Sequence, residues 1–148
     1  MSVAMDDALT VTSVLLGELT VRSDELLTLP AGLYGFEAHR AFVLVSAGRD
    51  NLWWLQSMER PELVFLLADP FKFFAGYEID VPDADLAALG VAPDTIPLVL
   101  VIVTLPAGRA ESPTANLRAP LLVDPTRRVA RQVVLADDAL SMTAALGL

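Results

Sequence analysis

Apolar residues along this chain fall in short runs cut by turn-forming residues. β-Branched, aromatic and leucine side chains crowd segments 10–14, 17–21, 42–46, 52–56, 63–68, 78–81, 97–105, 115–118, 121–124 and 129–135. Such stretches suit a pleated, half-buried backbone. Between them lie turn signals such as Pro30-Ala31-Gly32, Gly48-Arg49-Asp50-Asn51, Arg60-Pro61, Asp69-Pro70, Pro106-Ala107-Gly108 and Asp124-Pro125, so the pattern predicts a mainly β, mostly antiparallel single domain over 1–148. One short helix interrupts it. Asp83 is placed to cap it, Ala84 to Leu89 continue it, and Gly90 supplies a left-handed stop. A second helical turn at 137–146 has weaker periodicity, and the chain ends, 1–9 and 139–148, are the candidate mobile segments.

The most apolar run is Ile96-Pro97-Leu98-Val99-Leu100-Val101-Ile102-Val103-Thr104-Leu105. Its ten residues reach about 33 Å as a strand but about 15 Å as a helix, too short to cross a bilayer helically. It reads as a central strand buried on both faces. The N-terminus, Met1-Ser2-Val3-Ala4-Met5-Asp6-Asp7, has neither a basic region nor an apolar stretch of the signal-peptide kind. A cytoplasmic protein with no membrane partner is the expectation.

Composition narrows the function classes. The 148 residues are 54% hydrophobic, enough for a real core, and include no cysteine, which removes disulfides and thiolate chemistry. A net charge of −9 argues against direct nucleic-acid binding, which needs clustered cations to displace counterions. The acid is concentrated: residues 50–94 hold nine carboxylates against Arg60 and Lys72. A solvated face explains such a stretch, and so does a basic protein partner.

Enzymatic signatures are lacking. His39 is the sole histidine and follows a turn rather than any nucleophile motif. The eight glycines form no phosphate loop. Asp80-x-x-Asp83-x-Asp85 is a poor calcium site, because Pro82 and Ala84 stand where oxygen ligands are needed. No catalytic residue, metal or cofactor is expected.

Three segments stand out. Asp69-Pro70-Phe71-Lys72-Phe73-Phe74-Ala75-Gly76-Tyr77 carries four aromatics within seven positions of a turn. Alternation buries only part of such a cluster, so some of Phe71, Phe73, Phe74 and Tyr77 are expected on the surface beside Glu78 and Asp80, the makeup of a protein-binding hot spot. The alternative is that all four wedge into the core as a plug. Gln56-Ser57-Met58-Glu59-Arg60-Pro61 either presents hydrogen-bonding groups or simply connects a hairpin. In 30–37, Gly32 and Gly35 permit a backbone path closed to most residues, and Phe36 is expected to anchor the loop in the core.

Leu29-Pro30-Ala31-Gly32-Leu33-Tyr34-Gly35-Phe36-Glu37 resembles a segment of the bacterial flagellar assembly factor FliW family. Trp54-Leu55-Gln56-Ser57, then Pro61-x-Leu63-x-Phe65 and Asp69-Pro70-Phe71, resemble that family's central signature in order and spacing. Thr114-Ala115-Asn116-Leu117-Arg118-Ala119-Pro120 and Arg128-Val129-Ala130-Arg131-Gln132-Val133 are similar to its C-terminal signatures, so the likeness covers a core of about 11–135.

The resemblance implies a small antiparallel β-barrel that is an interaction protein. Its implied partners are flagellin and CsrA, an RNA-binding translational regulator that represses flagellin synthesis. The resemblance further implies that flagellin and CsrA trade places and that CsrA is antagonised allosterically, so that synthesis follows export. Phe71, Phe73, Phe74, Tyr77, Glu78, Asp80 and Asn116 are the candidate contact residues; Asn116 either pairs with a partner or closes a turn. A flagellin holdase without a regulatory role is the alternative, and a small-ligand-binding β-barrel is a third reading.

Overall fold

The structure, a computed structural model, describes residues 8–105 and 112–147. Seven strands close into a barrel. In chain order they are β3 (Leu26–Thr28), β4 (Ala41–Ser46), β5 (Leu52–Ser57), β6 (Val64–Ala68), β7 (Leu98–Thr104), β9 (Leu121–Asp124) and β10 (Val129–Gln132). From β3 to β7 each strand pairs antiparallel with the next. The ring closes where β9 pairs with the first half of β7 and β10 meets β3 in a single parallel register point, Val129 with Thr28. A hairpin of β1 (Ala8–Ser13) and β2 (Gly17–Arg22) lies outside, as do β8 (Thr114–Ala115) and β11 (Ala144–Ala145), which extend the sheet beyond β7.

Successive side chains of a strand point to opposite faces, and here both faces are apolar. Leu27, Phe42, Leu55, Leu67, Leu100, Leu121 and Val123 fill the barrel interior. The opposite parity is covered from outside. Val43 meets Val11 and Val21 of the hairpin, while Leu66, Ala68, Val101 and Val103 meet Tyr77, Leu117 and Leu146. Leu122 packs with Leu89 and Val133. This double burial explains the uninterrupted apolar run of β7, whose ends nevertheless emerge: Ile96, Leu98 and Leu105 are exposed.

The helix Asp83–Leu89, here α2, is present as expected, and Gly90 stops it at φ +74°. Its N-cap, however, is Pro82, and no side chain caps it; Asp83 and Asp85 lie in the first turn, where the helix dipole favours them. Arg127 Nη1 donates to the Leu89 and Gly90 carbonyls at the other end (3.2 and 3.0 Å), satisfying acceptors the last turn leaves open.

Several boundaries differ from the sequence expectation. Residues 78–81 form no strand, and of the expected strand 115–118 only Ala115 pairs, together with Thr114 before it, because Asn116 turns the chain. The helical turn expected at 137–146 is replaced by turns and β11, which pairs with β8. The tail is tied down: Leu146 is buried and its N–H donates to the Pro113 carbonyl at 2.8 Å. The end segment 1–7, residue 148 and the Pro106-Ala107-Gly108 turn lie outside the described residues.

Candidate protein-interaction site

The aromatic segment begins with a single helical turn, α1 (Pro70–Phe73). Asp69 caps it, its Oδ1 accepting from Phe71 N–H at 3.0 Å, and Pro70 occupies the first helical position, where its missing N–H costs nothing. The turn and the segment after it spread the four rings over different environments. Tyr77 is buried, and its hydroxyl donates to the Leu117 carbonyl at 2.7 Å; burial pushes its pKa up to about 12. Phe73 and Phe74 are half-buried against the cluster that covers the outside of β5, β6 and β7. Phe71 is 49% exposed, 5.4 Å from the Tyr77 ring, and reaches the rim of one barrel mouth. None of the four fills the barrel interior, whose buried cluster is built from other residues.

Glu78 and Asp80 are exposed along a groove of about 330 Å³ that they share with Ile79, Leu135, Asp137 and Leu140. Asn116 lies elsewhere. Its Oδ1 accepts from the N–H groups of Arg118 (3.2 Å) and Ala119 (3.1 Å), so it closes a turn, and it lines the opposite mouth of the barrel. The seven candidate residues thus occupy one mouth, the outer layer, an acidic groove and the second mouth.

That second mouth is itself an apolar surface. Tyr34, Phe36, Phe65, Ile102, Val134 and Met142 surround a depression of about 360 Å³, with Asn116, Gln132 and Thr104 among its polar groups. Tyr34 is 61% exposed and Met142 52%. Phe36, expected as a core anchor, is 38% exposed and meets Phe65 edge-on at 5.2 Å. The anchor is Leu33, which is buried. Gly32 at φ +66° and Gly35 at φ +88° turn the loop so that one apolar side chain enters and its neighbours stay out. Gln132 holds it there: its Oε1 accepts from Tyr34 N–H at 2.9 Å while its Nε2 donates to the Ala119 carbonyl at 3.2 Å. Sequence reading missed Tyr34, Val134 and Met142. The available signal was the loop itself, since two glycines within so short a turn leave little room to bury Leu33, Tyr34 and Phe36 together.

The other polar features are architectural. Gln56 is buried, its amide nitrogen 3.0–3.3 Å from the carbonyls of Ser57, Arg60, Pro61 and Leu63, so the polar turn is a hairpin connection built around it. Glu59 accepts from the N–H groups of Arg40 and Ala41 (both 2.9 Å), and the Ala41 and Arg40 hydrogen bonds lower its pKa. Asp85 pairs with Arg131 at 2.9 Å, fastening α2 to β10. Among the described residues no group of three or more His, Asp or Glu side chains is arranged to hold a metal ion. No helix there is long and apolar enough to cross a membrane.

The family described as FliW protein matches residues 10–146. The chain is 36% identical over 126 residues to the flagellar assembly factor FliW of Natranaerobius thermophilus, covering 84% of this chain and 83% of that protein. It is 39% identical over 123 residues to that of Treponema pallidum, covering 83% and 81%. A crystal structure of the flagellar assembly factor FliW superposes with a TM-score of 0.85 at 27% identity, covering 95% of this chain and 98% of the other.

Proposed function

The chain belongs to the FliW family of flagellar assembly factors, and from that premise we propose that it is a cytoplasmic, non-enzymatic partner switch that binds flagellin and, in exchange, the translational regulator CsrA. The observation that carries this reading is the second barrel mouth. Tyr34, Phe36, Val134 and Met142 expose apolar surface around two fixed amides, Asn116 and Gln132. Exposed aromatics held rigidly by a scaffold bind protein at low entropic cost. The acidic groove of Glu78, Asp80 and Asp137 supplies a second, electrostatic surface suited to a basic partner, where complementary charge raises the association rate.

Calorimetry with flagellin and CsrA from the same organism tests this, first with each alone and then in competition. Both should bind, and flagellin should release CsrA. Tyr34→Ala should weaken binding of at least one partner about tenfold or more, the loss typical of an interface hot spot. Glu78→Lys and Asp80→Lys should slow CsrA association, an effect that shrinks as salt rises. Flagellin binding without CsrA binding would reduce the protein to a holdase, and binding of neither would overturn the reading.

A further inference from the structure

The first barrel mouth, opposite the aromatic patch in the fold, holds an open cavity. It has a volume of about 630 Å³, within the range of small-molecule sites. It opens where β7 begins and β4 ends. Leu44, Trp53, Leu98 and Leu100 form its walls, and Phe71 stands at its rim. The interior cluster below these residues is closed-packed, with Leu55, Leu67 and Leu121 inaccessible. The layer above stays open: Leu98 is 46% exposed and Trp53 is only partly buried. An apolar pocket with an aromatic wall gains by taking an apolar body from water.

The polar lining has one dominant sign. Asp24, Glu25 and Asp69 bring three carboxylates to the cavity and Arg128 one cation. Local contacts use one oxygen of each acid: Arg22 N–H donates to Glu25 Oε1 (2.9 Å), Phe71 N–H donates to Asp69 Oδ1 (3.0 Å), and the Arg22 guanidinium forms an ion pair with Asp24, Nη2 to Oδ2 at 3.3 Å. The second oxygens keep acceptor capacity. Arg128 is committed to the backbone, its Nε donating to the Leu26 carbonyl (3.2 Å) and its Nη2 to that of Glu25 (3.1 Å). Its backbone sits at φ +56° in the tight β9–β10 connection, which holds it in that role. With Arg22 paired to Asp24 and the Arg128 guanidinium also present, the three carboxylates leave the rim a small net negative charge beside the Trp53 indole, and negative charge and an aromatic ring both attract a cation.

We propose that this mouth binds a small amphipathic monocation: a primary or quaternary amine on an aromatic or short alkyl body. The body enters between Trp53, Leu44 and Leu98, and the ammonium stays at the rim within reach of Asp24, Glu25 and Asp69. Nothing in this assignment depends on the partner-switching reading, which uses the other mouth and the acidic groove.

Tryptamine is a suitable probe, with 3-propylindole and indole-3-propionate as neutral and anionic counterparts of similar shape. Calorimetry on the full chain should give tryptamine a Kd of about 10⁻⁴ M, the affinity its size permits. The neutral and anionic counterparts should bind at least about tenfold more weakly, the loss expected when a charge-assisted contact is removed. The Trp53 indole N–H resonance should shift on titration. Leu98→Trp should fill the mouth and abolish binding. Because that variant risks misfolding, Glu25→Gln serves beside it: it keeps the acceptor for Arg22 N–H, should leave the melting curve in place, and should weaken tryptamine severalfold. No binding of tryptamine up to about 10 mM, or equal affinity for the neutral isostere, would overturn the proposal. So would binding unchanged in both variants.

Discussion

The Tyr77 hydroxyl donates a 2.7 Å hydrogen bond to the carbonyl of Leu117, 40 residues further along the chain, and thereby ties the aromatic segment to the turn that leads into β9. Both residues are buried on the outer face of the barrel. The phenol is neutral there, and burial raises its pKa to about 12 from a usual value of 10.0. Below pH 10 folded and unfolded chains both carry the proton, so the group adds no pH dependence. Above it the unfolded chain releases the proton first, and stability falls until the folded value is passed. Tyr77→Phe should cost about 1 kcal/mol at neutral pH through the lost hydrogen bond. It should also flatten the alkaline limb of a urea-melt series between pH 9 and 12, while an unchanged limb would place the titration elsewhere.

Gly32 and Gly35 share a left-handed backbone but not their surroundings. A Cβ at Gly32 would lie 2.6 Å from the Glu37 Cα and 2.8 Å from its carbonyl oxygen, whereas one at Gly35 meets nothing within 4 Å. Gly35→Ala should cost only the conformational penalty, about 1 kcal/mol. Gly32→Ala forces backbone against backbone and should cost at least about 3 kcal/mol. Denaturant titration of the two variants separates them; equal losses would mean the loop can relax away from Glu37.

Phe36 and Phe42 give the same comparison for aromatics. Phe42 lies wholly inside the barrel, and Phe42→Ala should cost about 3–5 kcal/mol. Phe36 keeps an edge contact with Phe65 and more than a third of its surface in water, so Phe36→Ala should cost about 1 kcal/mol. Thermal melting checks both. A Phe36→Ala loss matching that of Phe42→Ala would return Phe36 to the core.

Glu59 contributes on the acid side. Its carboxylate accepts two backbone N–H groups, which lowers its pKa below the usual 4.5. A lowered carboxylate pKa means that its stabilisation is fully present above the unfolded value and disappears as pH falls through the folded one. Glu59→Gln should therefore lower the neutral melt slightly, converge with the unsubstituted protein in acid, and make the acid limb below pH 4.5 less steep. Parallel acid limbs for the two proteins would assign that slope to other carboxylates.

What could be read from the chain alone is what short-range chemistry governs. The β-rich architecture follows from β-branched runs between turn residues, and Asp83–Leu89 from its favourable first turn and the left-handed stop at Gly90. The turn at 30–37 follows from two glycines at positive φ. The tertiary structure alone decided which apolar residues face water. Barrel strands that are covered on the outside lose the polar alternation that marks an interior face, so nothing in the run around Leu100 and Val101 distinguishes barrel lining from outer layer. The aromatics of 71–77 divide between surface and outer core because α1 ends at Phe73, Phe74 is extended, and the chain turns again at Gly76 (φ +76°), so the four rings leave the backbone in different directions. Likewise Phe36 surfaces because Leu33 takes the single inward position that the loop provides. The short strands β3 and β11 exist only through their partners, since two or three residues carry no period of their own and pair because β4, β8 and β10 are already in place.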